Sequence, residues 1–234
     1  MTAFVLVPGA WLGAWAWDDV AAELRTAGHD VYAVTLSGLA DRQGQPAAQH
    51  VHVQDVVDVV EKADLRDVVL AGHSYSGVPV GQAAQRIGDR LRRVVFVDSN
   101  IPVDGRSFAE GWSEDGQKWL REAMAESGGY WPPLRAEDYA GHDMTEEQVA
   151  YVVGRSTPHP GAAVTEPARL IGSLGELPAT YIKCLMDGPE PSAEVKVLLE
   201  SPSWRLVTMN TGHWPMFSQP VELARILLAE AGGS

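Results

Sequence analysis

VVLAGHSYSGVPV, residues 68–80, runs from four apolar residues into Gly72, His73 and Ser74 and then turns small. A β-branched run bounded by glycine reads as a strand buried on both faces, and PVGQAAQRI beyond it has helical spacing. Two readings of the serine follow. Either the glycines only let the chain turn from strand to helix, or the turn lifts Ser74 above the sheet as a nucleophile. In the G-x-S-x-G elbow, flanking glycines relieve the crowding of that tight turn. Here Gly72 is in place, Ser76 takes the second glycine position, and Gly77 follows it. Phosphate binding is excluded, because no GKS or GKT follows.

Working outward, apolar runs of the same kind occur at 4–7 (FVLV), 31–34 (VYAV), 94–97 (VVFV), 180–184 (TYIKC) and 205–208 (RLVT). Between most of them lie stretches of helical periodicity, at 17–27, 51–63, 192–200 and 220–230. Such alternation predicts an α/β fold, a doubly wound, mostly parallel six-stranded sheet with helices on both faces. One interval, about 101–178, holds no convincing parallel strand. Two short helices are expected in it. SEDGQKWLREAMAES starts at Ser113 and stops at Gly128-Gly129, and TEEQVAYVV opens on a capping box of Thr145 and Gln148. The simplest reading of residues 1–234 is a single domain with a lid inserted at the carboxyl edge of the sheet, where doubly wound folds bind ligands.

Composition bounds the partners. The chain has 234 residues, 45% hydrophobic and 21% charged, enough for one large core. Its net charge of −13 argues against nucleic acid or an anionic membrane and suits a small neutral molecule as partner. No run reaches the roughly 18–20 apolar residues of a membrane span, and Met1-Thr2-Ala3-Phe4 enters a strand with no basic leader. With Cys184 as the one cysteine, buried in ATYIKC, no intrachain disulfide forms and a reducing cytoplasm is expected.

A nucleophilic serine needs a base, and the base needs an orienting acid. Of seven histidines, six have structural readings. His29 ends a helix, His50 and His52 flank one, His73 adjoins the elbow, and His142 and His159 fall in the insertion. His213 instead sits in TMNTGHWPM, directly after the last strand, where it can swing over Ser74. Asp187, in the loop after the fifth strand, gives the chain order Ser, Asp, His. Its rival is Asp98, which ends VVFVD, and Glu190 is a third choice. The oxyanion donors are expected at the backbone N–H groups of Ala10, in the loop VLVPGAW, and of Tyr75, at the start of the elbow helix. No histidine or carboxylate cluster has the spacing of metal ligands, so no metal or organic cofactor is implied.

These stretches, from FVLVPGAW through TLSGLADR, VVLAGHSYSG, VVFVDSNIP and TYIKCLMD to TGHWPMF, resemble the α/β-hydrolase superfamily over nearly the whole chain. More narrowly, the chain is similar to the small-lidded branch of plant methyl-ester hydrolases, bacterial esterases and hydroxynitrile lyases. The resemblance implies Ser74, Asp187 and His213 as triad and Ala10 and Tyr75 as oxyanion donors. It also implies a homodimer, a common state among such relatives. Two departures stand out: Pro8 replaces the usual histidine of the oxyanion loop, and Gly9 and Trp214 stand where the lyases carry threonine and lysine. Lyase chemistry is disfavoured for lack of an acid to hold cyanide. Aspartyl-nucleophile chemistry is disfavoured because the elbow carries serine.

The expected activity is therefore two-step hydrolysis of an ester or lactone through an acyl-enzyme. Trp11, Trp112, Trp119, Trp131 and Trp214 are expected to line a pocket for small to medium apolar or aromatic substrates. The alternative is a natural-product tailoring catalyst (a lactonase, cyclase or lyase), or a ligand receptor, on the same scaffold.

Overall fold

The computed structural model describes residues 2–232, so the Met1 of the leader reading lies outside it. Six strands form one sheet: β1 (Ala3–Val7), β2 (Asp30–Ala33), β3 (Val68–His73), β4 (Leu91–Val97), β7 (Ala179–Cys184) and β8 (Trp204–Met209). Their order is β2-β1-β3-β4-β7-β8, and every neighbouring pair is parallel. β3 sits inside the sheet with all six of its residues buried. That is why its sequence is continuously apolar rather than alternating.

Side chains alternate between two cores. Val5, Leu70, Val94 and Phe96 face helices α2 (Gln49–Lys62) and α3 (Gly77–Ile87), through Val53, Val56 and Val80. Phe4, Leu6, Val69 and Val95 face α1 (Asp18–Thr26) and α9 (Pro220–Gly232), through Val20, Leu24 and Leu227. Burying each such aliphatic side chain stabilises the fold by about 1.5–3 kcal/mol, so both sheet faces are strongly specified. No helix among the described residues is long and apolar enough to cross a membrane.

Between β4 and β7 the chain leaves the sheet. The insert carries α4 (Glu114–Glu126), capped by the Ser113 side chain, and α5 (Glu146–Arg155), whose Thr145/Gln148 capping box forms as expected. Between and after these helices lie pieces the sequence did not announce. β5 (Tyr130–Trp131) pairs antiparallel with β6 (His159–Pro160), setting Trp131 opposite His159, and the short α6 (Gly161–Thr165) follows. Two-residue strands carry no periodicity, so pattern reading passes over them. The chain closes through α7 (Ala193–Leu198) between β7 and β8, and through α8 (Pro215–Ser218) before α9.

Candidate active site

Three non-glycine residues at or just beyond strand ends have left-handed backbones: Trp11 after β1 (φ 67°), Ser74 after β3 (φ 54°) and Asp98 after β4 (φ 41°). A side chain in this region costs about 1–2 kcal/mol, which the surrounding structure must hold in place. At Ser74 the strain is that of a sharp strand-to-helix turn, a single 3₁₀ turn, Ser74–Ser76, that leads into α3. Gly77 is required there, since a Cβ would fall onto the Asn100 carbonyl oxygen. Ser76 also has a use that explains the departure from glycine. Its hydroxyl donates to the Pro8 carbonyl and ties the elbow to the loop after β1. A Cβ on Gly9 would come within 3.0 Å of Ser74 Cβ, so that loop packs directly against the serine.

The Ser74 hydroxyl lies 2.9 Å from His213 Nε2. On the other side of the ring, Nδ1 is 2.8 Å from Asp98 Oδ2 and 3.0 Å from Asp187 Oδ2. Both candidate acids therefore reach the same nitrogen. Asp98 is buried, and its Oδ1 accepts from Lys183 Nζ at 2.6 Å and from the Cys184 amide at 3.2 Å. Asp187 has 40% of its side chain exposed. Lys183 also donates to the Asp187 carbonyl at 2.8 Å, so one ammonium binds both acid-bearing segments. Glu190 pairs instead with Lys196 at 3.0 Å.

Electrostatics follow from this crowding. Burial alone would lower the His213 imidazole, but the carboxylates of Asp187 and Asp98 outweigh it and carry its pKa up to about 9. The same hydrogen bond from His213 holds the Asp187 carboxyl well below the usual carboxylate range. Asp98, Asp187 and His213 bring ligand-type atoms within 4.8 Å of one another, a cluster that spacing in the sequence hides. The cation at this cluster is the Lys183 ammonium, held by the Asp98 carboxylate and the Asp187 backbone carbonyl.

Four of the histidines given structural readings support this constellation. His73 Nε2–H donates to the His213 carbonyl at 2.7 Å, and the His213 amide donates to His142 Nδ1 at 3.1 Å, so two rings fix the backbone of the third. The Trp11 amide donates to His159 Nδ1 at 3.2 Å. His52, pushed down to about 4 by burial, is neutral. Its Nε2–H donates to the Ser37 carbonyl, leaving Nδ1 to accept the Tyr75 hydroxyl at 2.9 Å. Only His73, beside Ser74, carried a positional hint. The others meet partners 15 to 148 residues away, which no local pattern encodes.

Among the described residues, the Ala10 amide, beside Trp11, makes no backbone hydrogen bond. Tyr75 lies in the first turn after β3, where helix amides lack internal partners. Tyr75 thus follows the serine directly, and Ala10 follows Gly9 in the loop that packs against it. The five tryptophans are placed otherwise, with none among the residues lining the roughly 320 Å³ cavity beside His213. Trp11 packs on Trp131 at 4.2 Å and Trp131 on Trp112 at 5.2 Å, filling the junction between insert and sheet. Trp214 packs on Tyr139 and His142, and Trp119, stacked on Trp112, is half exposed. The rings satisfy one another because large aromatic faces gain most from dense contact. The cavity is lined by apolar Val78, Ile101, Pro102 and Phe108 together with Arg106 and Lys183.

The chain is 32% identical over 244 residues to a carbendazim hydrolyzing esterase of Nocardioides sp. (strain SG-4G), covering 98% of this chain and 99% of that protein. It is 27% identical to methyl jasmonate esterase 1 of Vitis vinifera, covering 96% and 94%. Among solved structures, an extracellular alpha/beta-hydrolase from a Paenibacillus species superposes with a TM-score of 0.86 at 25% identity, covering all of both chains. A pyrethroid hydrolase from Sphingobium faniae JZ-2 superposes at 0.73 with 19% identity, covering 98% and 97%, a likeness of fold. The model of the alpha/beta hydrolase family matches residues 4–226, and the chain belongs to that family.

Proposed function

We propose that this chain is a carboxylic ester hydrolase that forms an acyl-enzyme on Ser74. The observation that carries the reading is the 2.9 Å contact of the strained Ser74 hydroxyl with an imidazole whose other nitrogen is held by carboxylates. In the mechanism, His213 Nε2 takes the Ser74 proton as Oγ attacks the carbonyl carbon. The oxyanion is met by the Ala10 and Tyr75 amides. Imidazolium then protonates the departing alkoxide, and water repeats the sequence to release the acid. Asp98 and Asp187 hold the Nδ1–H tautomer and stabilise the imidazolium. This chemistry uses side chains and backbone alone.

The substrate class proposed is a small to medium ester or lactone. A cavity of roughly 320 Å³ that reaches Asp98, Asp187 and His213 supports that size. Apolar walls beside Arg106 and Lys183 suit a substrate with an apolar or aromatic body and one polar edge, in keeping with relatives named for carbendazim and methyl jasmonate. The insert at 101–178 acts as a lid on one catalytic domain. A cytoplasmic location and an unbound small-molecule partner, rather than nucleic acid or membrane, fit the single buried thiol and the net charge of −13.

A p-nitrophenyl ester chain-length series on wild type and Ser74→Ala tests the reading. Turnover in wild type, falling by roughly three to six orders of magnitude in the variant, is expected, because removing one member disables the unit. A folded wild type that cleaves no ester and forms no adduct with a serine-reactive phosphonate would overturn it.

A further inference from the structure

Trp11 follows the oxyanion donor Ala10 and holds a backbone conformation that only glycine adopts freely (φ 67°). All of its polar groups are bound, and each partner comes from the insert. Its amide donates to His159 Nδ1 at 3.2 Å, its carbonyl accepts the Thr157 amide at 2.9 Å, and its indole N–H donates to the Trp131 carbonyl at 3.2 Å. His159 and Trp131 are paired directly across the two-residue ribbon. The ribbon therefore presents one side-chain acceptor and one backbone acceptor to a single residue.

His159 itself is fully buried, with Tyr75 edge-on at 4.5 Å and His52 at 5.7 Å. Its Nε2 has no partner. An imidazole with one nitrogen unsatisfied is a poor choice for packing alone, since an apolar ring would spare the desolvation of that nitrogen. What an apolar ring cannot do is accept the Trp11 N–H. Burial also keeps His159 well below its ordinary value, so the ring is neutral and Nδ1 has a free lone pair.

From these contacts we infer that His159 is a positioning residue for the oxyanion hole. By accepting the Trp11 amide it holds the peptide between Ala10 and Trp11, and through the Ala10 backbone dihedrals the adjoining Gly9–Ala10 peptide, whose N–H is the one aimed at the developing oxyanion. The insert is then more than a cover, because its docking sets the geometry of one oxyanion donor. His159 touches no reacting atom and acts only through Trp11. The inference rests on the Ser74 acyl-enzyme reading.

The test compares His159→Phe and His159→Met, which keep bulk but lose the strong acceptor, with His159→Gln, whose side-chain carbonyl can accept. Steady-state kinetics on the best p-nitrophenyl ester are measured beside the affinity for an aryl trifluoromethyl ketone, which forms a tetrahedral adduct at the serine. Expected for Phe and Met is a kcat lower by about 10- to 100-fold, with KM changed less than about threefold. Ketone affinity should fall in parallel, and His159→Gln should recover most of both. Equal behaviour of Gln and Phe, a rise in KM at constant kcat, or kcat loss without loss of ketone affinity would overturn the inference. Failure of both acceptor-free variants to fold would also overturn it, making His159 a determinant of stability. A wild type without Ser74-dependent turnover fails the acyl-enzyme reading itself, a result distinct from all of these.

Discussion

Asp98 and Asp187 follow neighbouring strands, directly after β4 and in the loop beyond β7, and reach the same imidazole nitrogen from opposite environments. Asp98 has 2% of its side chain exposed, sits at a left-handed backbone position, and is bound by Lys183 and the Cys184 amide as well as by His213. Asp187 has 40% of its side chain exposed, on the loop beyond β7. The difference teaches how a histidine can be oriented in two ways at once. The buried acid is fixed by the sheet and neutralised by an ammonium. The exposed acid adds charge where water can screen it. Because a buried charge costs several kcal/mol unless paired, Asp98 cannot be present without a cation such as Lys183, whereas Asp187 can.

The comparison breaks most completely in Asp98→Asn/Asp187→Asn. With no carboxylate left to select the tautomer, kcat/KM should fall by about 10⁴, the cost seen when a triad acid becomes an amide. Each single variant should lose far less, on the order of 10- to 100-fold, because the other carboxylate remains within reach. A double-mutant cycle on kcat/KM would then show strong non-additivity. Additive effects, or a full loss from one substitution alone, would assign the role to a single acid.

Stability should separate the two acids where activity does not. Asp98→Asn leaves the buried Lys183 ammonium without its carboxylate, at a cost of about 3–5 kcal/mol. Asp187→Asn should cost no more than about 1 kcal/mol, as for other solvent-exposed pairs. Urea unfolding midpoints, read with their slopes, check this order.

The pH profile sharpens the comparison further. His213 must be neutral to accept the Ser74 proton, and its pKa stands at about 9. The wild-type kcat/KM should therefore climb from pH 7 to a plateau above about pH 9. In either single acid variant the imidazolium loses a partner, so this limb should move to lower pH. The smallest effect is expected of Lys183→Met. Removing that positive charge strengthens the hold of Asp98 on the imidazolium, so the limb should move slightly upward, while the variant loses stability because the buried Asp98 carboxylate is left without its ammonium.

Legibility differed between sheet and site for related reasons. The inner strands were readable because they are buried on both faces over most of their length, which forces short β-branched runs such as VVLA and VVFV. The edge strands β2 and β8, expected to be buried in the same way, are partly exposed. The ribbon of β5 and β6 was not readable, since two residues in each strand show no period. In the site, Ser74 and His213 were readable from local chemistry, an elbow and a loop after the last strand. The sequence favoured Asp187 over Asp98 as the acid, and it could not show that both reach the imidazole, because both follow strands at the same sheet edge.

The sequence by itself determined the sheet and its main helices and singled out Ser74 and His213, because these depend on patterns within a few residues. Tertiary structure alone decided that two carboxylates share one nitrogen and that Lys183 neutralises the buried one. It also decided that the tryptophans pack the junction instead of lining the cavity beside His213, and that His73, His142 and His159 hold the backbone of the site. The physical reason is range. Hydrogen bonds and ring contacts form between groups brought together by the fold, and a single sequence records such groups only as isolated polar residues in unremarkable places.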